Sequence, residues 1–108
     1  MSGLSGGQRQ EATFADFVVS AVNDALQKTF DASTAKAVQF YIDANILVKN
    51  PDAYADSVLR MFGKVGGDVV LETIMKNLLQ KAGMPGDPKK FSNLKDCVNA
   101  VAKRYRNA

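Results

Sequence analysis

The chain has 108 residues, 46% of them apolar and 23% charged, which is the composition of one ordinary globular domain and excludes a wholly disordered chain. No apolar run approaches the roughly 18 residues of a membrane-spanning helix, and the single cysteine, Cys97, cannot form an internal disulfide. With no histidine, the commonest general base and the commonest metal ligand are both missing, so the net charge of +3 and its placement become the features to follow.

Residues 1–12 are rich in Gly, Ser and Gln and offer little to bury, so a flexible tail is expected there. The opening residues lack the basic and apolar stretches of a secretory signal, and a lone cysteine suits a reducing compartment; a cytoplasmic location follows as the expectation. From Phe14 an amphipathic pattern sets in: Phe14, Phe17, Val18, Ala21, Val22, Ala25, Leu26 and Phe30 recur at helical spacing. Thr13 is placed to cap this helix, with Asp16 near its positive end. Asp31 then caps a second helix whose apolar positions are Ala35, Val38, Tyr41 and Ile42, with Ala37 and Phe40 widening the face. Asn45-Ile46-Leu47-Val48 either extends this helix or forms an extended connector that buries Ile46 and Val48; the connector is favoured, because Asn50-Pro51 must end whatever precedes it.

Asn50-Pro51-Asp52 combines a capping side chain, a first-position proline and a first-turn acid, which starts a third helix carrying Tyr54, Ala55, Val58, Leu59 and Phe62. Gly63 is placed to end it, and Lys64-Val65-Gly66-Gly67 is expected as a turn. The fourth helix, from about Asp68 to Ala82, is apolar over much of its circumference through Val70, Leu71, Ile74, Met75, Leu78 and Leu79, with Val69 alongside. That breadth makes it the central helix of the fold. Gly83-Met84-Pro85 stops it, and Pro85-Gly86-Asp87-Pro88 forms a hinge. Beyond the hinge a fifth helix is expected from Pro88, with a narrow stripe of Phe91, Leu94, Val98, Val101 and Tyr105. The fold class is therefore all-α: a compact bundle of about five short helices, with residues 13–84 a four-helix unit and 87–108 a hinged basic helix.

The sequence offers no catalytic residues, no cofactor site and no metal site. Cys97 has no histidine to activate it and is expected to be an inert, partly buried thiol. Asp52 and Asp56, and likewise Asp24 and Lys28, stand four apart on helices, the ordinary spacing of a solvated face. Gly63, Gly66 and Gly67 lack the preceding strand and the Gly-Lys-Ser/Thr ending of a phosphate loop.

Charge is asymmetric. From Asp87 onward Lys89, Lys90, Lys95, Lys103, Arg104 and Arg106 face only Asp87 and Asp96, a balance of +4, against −1 for the residues before. The stripe Phe91, Leu94, Val98, Val101 and Tyr105 is a candidate seam for a partner or for a second copy of the chain. Lys103, Arg104 and Arg106 are candidate phosphate contacts, with Tyr105 available to stack on a base.

Phe40-Tyr41, Asn50-Pro51-x-x-Tyr54, Val58-Leu59-x-x-Phe62-Gly63, the Gly66-Gly67 pair and Leu71-Glu72-x-x-Met75-x-x-Leu78-Leu79 together resemble a small helical domain of unknown function found in archaea, over residues 22–84. The connector before Asn50 is shorter and more apolar than in that pattern. The resemblance implies an all-α fold in an archaeal cytosol and brings no activity. The favoured functional expectation is a non-enzymatic interaction module that self-associates through its C-terminal helix. Sequence-tolerant nucleic-acid binding through the same helix is the alternative, and no membrane partner is expected.

Overall fold

In the computed structural model, residues 13–84 and 86–107 are described; the tail expected over residues 1–12 lies outside them. The first helix, α1 (Phe14–Thr29), is fixed at its start by a reciprocal cap: the Asp16 N–H donates to the Thr13 hydroxyl oxygen at 3.1 Å, and the Thr13 N–H donates back to the Asp16 carboxylate at 3.2 Å. Its stripe of Val18, Ala21, Val22, Ala25 and Leu26 is buried, and Phe14, Phe17 and Phe30 pack half-buried at its ends.

Asp31 accepts from the Thr34 N–H at 2.8 Å and starts α2 (Ala32–Tyr41). Hydrogen bonding by Thr34 holds the Asp31 carboxyl below its ordinary range. Here the structure narrows the expected face: Ala35, Val38 and Ile42 are buried, whereas Phe40 and Tyr41 are 83% and 71% exposed. The reason is geometric. Positions 35, 38 and 42 share one side of the helix, and α2 packs chiefly against α1, so only that side meets a neighbour.

The connector is helical rather than extended. Asn45–Lys49 forms the short α3, which buries Leu47 fully, leaves Val48 half-buried against the core and Ile46 37% exposed. The Asp43 carboxylate accepts from both the backbone and the side-chain N–H of Asn45, which nucleates the turn and lowers the Asp43 pKa. One helical turn lets the bulkier Leu47 reach the core, an outcome that two β-branched neighbours obscure in the sequence.

Asn50 caps α4 (Pro51–Lys81) through the Ala53 N–H. The helix is broken by Gly63 (φ 82°, ψ 174°) into arms of residues 51–62 and 64–81, so the third helix ends where expected. The fourth begins at once, however, and the turn expected at Lys64–Gly67 is already helical. Lys64 and Asp68 form an i,i+4 ion pair at 2.8 Å on that first turn. A side chain at Gly67 would lie 2.7 Å from Leu59 Cδ2 and 3.0 Å from Leu59 Cα, so the glycine is what allows the two arms to touch. Phe62 stacks on Phe30, tying the corner to the end of α1.

The second arm is the centre of the bundle, as its broad apolar face requires. Val70, Leu71, Ile74, Leu78 and Leu79 are buried, with Met75 half-buried, while Val69 turns outward. The arm ends in a doubly bonded glycine cap: the Gly83 N–H donates to Gln80 O at 3.1 Å and the Met84 N–H to Leu79 O at 2.9 Å.

After the cap, Pro88–Lys90 is a single 3-10 turn, and α5 runs over Leu94–Asn107. The fifth helix thus starts six residues later than its proline suggested. Asn93 is a stronger cap, its side chain accepting from the Asp96 N–H at 2.8 Å, and Phe91 stands in extended backbone before it. The described residues form an all-α bundle of five helices without strands, and none of those helices is long and apolar enough to cross a membrane.

Candidate functional site

The two faces of α5 differ completely. Leu94, Cys97, Val98 and Val101 are buried against the rest of the bundle. The Tyr105 ring sits 5.4 Å from that of Phe14 and 5.3 Å from that of Phe17. At 100° per residue these five positions fall within about 100° of arc. Four of the five residues of the sequence-derived seam (Leu94, Val98, Val101 and Tyr105) therefore lie on one side of α5, and that side faces its own domain. Phe91, the fifth, precedes the helix and packs half-buried on the core. Tyr105 is engaged by two phenylalanines of α1, which replaces the free stacking platform the sequence suggested.

Cys97 joins the seam although the sequence stripe passed over it. Burial pushes its thiol up to about 11, and its sulfur lies 4.0 Å from the Met75 carbonyl oxygen. A thiol held protonated in apolar surroundings is a poor nucleophile.

The outward face of α5 is basic. Lys95, Asn99, Lys103 and Arg106 are exposed and fall within about 80° of arc, a band about 16 Å long. Asp96 borders the band on one side. Arg104 is also exposed but lies on the opposite flank, where its guanidinium approaches Gly83. Of the three residues singled out in the sequence, two share a face and the third does not; Lys95 takes its place. The ion pairs among the described residues, Lys64–Asp68 and Lys81–Asp24, both lie outside α5.

A second polar feature was not anticipated. Asn77 is 4% exposed in the middle of the α1–α4 contact. Its side-chain amide donates to the Ala21 carbonyl at 2.6 Å, and its carbonyl accepts from the Lys28 ammonium at 3.1 Å. Asp24 reaches across to Lys81 at 2.8 Å. Asp24 and Lys28, which the sequence pairs with each other, each find their partner on α4. An isolated asparagine in an apolar helix gives no signal of this, because the partner is a backbone carbonyl 56 residues away.

Open depressions lie on either side of α1 and beneath the 3-10 turn. One, lined by Asp16, Phe17, Ser20, Lys81 and Tyr105, has a volume of about 330 Å³. Another, of about 440 Å³, lies among Glu72, Thr73, Lys76 and residues 86–89. Among the described residues no group of three Asp, Glu or Cys side chains is placed to hold a metal ion. Comparison with protein-family models, with curated proteins and with solved structures finds no match to this chain.

Proposed function

We propose that this chain is a non-enzymatic interaction module of the cytoplasm, and that it contacts nucleic acid, without sequence preference, through the outward face of α5. One observation carries the reading: the helix that holds the whole positive excess turns its apolar side inward and presents Lys95, Lys103 and Arg106 together on the solvent side. Positive side chains gathered on one solvent face can neutralise backbone phosphates, and contacts of that kind carry no sequence information. The archaeal domain that residues 22–84 resemble has no activity to lend, so the proposal rests on the chain's own surface.

The test is fluorescence anisotropy with a labelled single-stranded oligonucleotide over a salt series. Three phosphate contacts correspond to a log–log slope of about −2. The triple variant Lys95→Gln, Lys103→Gln, Arg106→Gln is expected to abolish measurable binding, while Arg104→Gln, on the other flank, changes it little. Binding that is absent at low salt, or insensitive to salt, overturns the proposal.

A further inference from the structure

We infer that Asn77 is a register lock: it holds α1 on α4 in one of two packings that apolar burial alone separates weakly. The stripe of α1 nearly repeats itself at four residues. A slip of one helical turn, about 6 Å along the axis, replaces Val18 by Val22, Ala21 by Ala25 and Val22 by Leu26. Burial is non-directional and barely distinguishes the two arrangements at those positions. Only near the helix end do Thr29 and Phe30 bring side chains of new size to the sites of Ala25 and Leu26. The opposite slip is closed by volume, because it drives the Phe17 ring into the site of the fully buried Ala21.

Polar groups close the slip that volume leaves open. Asn77 is 4% exposed; its amide donates to the Ala21 carbonyl at 2.6 Å and its own carbonyl accepts from Lys28 at 3.1 Å. A helical carbonyl gives one lone pair to the backbone N–H four residues on and keeps a second. At Ala21 that second lone pair receives Asn77. At Ala25, which the slip brings to the same place, it already receives the Thr29 hydroxyl at 2.8 Å. The slip also carries Lys28 away from Asn77 and sets it opposite Lys81, where Asp24 stood. The asparagine thus loses both partners while still buried, which is the larger penalty. The Lys81–Asp24 pair is partly exposed and discriminates less. The lock also reaches α5. Phe14 and Phe17 hold the Tyr105 ring, and a slipped α1 carries them about 6 Å from that seat. Asn77 is therefore a positioning residue for the helix that bears the basic face.

The experiment uses the full chain, isotope-labelled, and reads register by nuclear magnetic resonance. Ring-to-ring Overhauser contacts between Phe30 and Phe62, and between Phe17 and Tyr105, mark the native packing. Asn77→Leu removes both hydrogen bonds and leaves an apolar side chain of similar volume. The chain is expected to stay folded and to show a second set of amide cross-peaks over α1, because the slipped population rises about tenfold for each bond lost. The second set lacks both marker contacts. Adding Lys81→Glu to Asn77→Leu offers Lys28 a carboxylate and repels Asp24, and is expected to make the second set the major one. A single set that keeps the Phe30–Phe62 contact in both variants overturns the inference. So does unfolding of Asn77→Leu, which makes the asparagine a source of stability and not of register. None of these readouts involves nucleic acid, so they stand apart from the test of the basic face.

Discussion

Residues 13–84 and α5 are both helical and both contribute to one core, yet they are secured by different physics. The larger unit is held by directional devices as well as by burial. Asn77 bonds a backbone carbonyl across the α1–α4 contact, Lys81 pairs with Asp24, and Phe62 stacks on Phe30. Each has a unique geometry, so a shifted packing forfeits it. Among the described residues, α5 is secured chiefly by apolar surface, through Leu94, Cys97, Val98 and Val101. The difference teaches that one core can contain a part specified in detail and a part that is merely well covered.

The comparison is broken most severely at Tyr54, which is buried in the first arm of α4. Tyr54→Ala is expected to cost about 3–5 kcal/mol, measured by urea denaturation, and to destabilise every helix together. Leu94→Ala removes a buried side chain from α5 and is expected to cost about 2–3 kcal/mol. Its signature is local. Hydrogen exchange accelerates over residues 94–107 much more than over α1, and equal acceleration in both would erase the distinction between the two regions.

Cys97 sharpens the comparison by pH. The folded chain keeps the thiol proton up to about 11, whereas the unfolded chain releases it from its ordinary value of 9.0. Stability is therefore full below pH 9 and falls as the pH rises through that window, by at most about 1.4 kcal/mol per pH unit. Subtracting the profile of Cys97→Ala isolates this contribution. As the chain's one thiol, lying on the inward face of α5, Cys97 also reports undocking through its labelling rate.

Gly63→Ala forces a side chain into a left-handed backbone and is expected to cost about 1–2 kcal/mol, read as a lowered urea midpoint. The smallest effect belongs to the basic band. Neutralising Lys95, Lys103 and Arg106 removes charges from an exposed face, and thermal melting is expected to show a change within about 0.5 kcal/mol. A larger loss would mean that these side chains support the fold.

Much of the architecture was legible because it is written in local chemistry. Thr13, Asp31, Asn50, Gly63 and Gly83 act where their side chains or their lack of one predict, since caps and breaks depend on a few neighbouring residues. Features that depend on the neighbour were not legible. Whether Phe40 is buried is decided by which element lies beside α2, and whether Leu47 or Ile46 faces inward is decided by one helical turn that no periodicity announces. The seam of α5 was visible as a stripe, but a stripe does not say whose core it joins. Lys95 was missed as a partner of Lys103 and Arg106 because closeness in sequence grouped those two with Arg104, whereas a helix groups residues by angle and Lys95 stands eight and eleven residues away.

The glycine corner of α4 also bears on the order in which the chain folds. Leu59 and Gly67 meet across eight residues, and no loop must first be closed between the two arms. Contacts so local form early and at little entropic cost, whereas Ala21 and Asn77 must find each other across 56 residues. The arms of α4 are thus the natural nucleus, with α1 closing on them afterwards. Substitutions at the corner should slow folding, while those at the Asn77 contact should chiefly hasten unfolding.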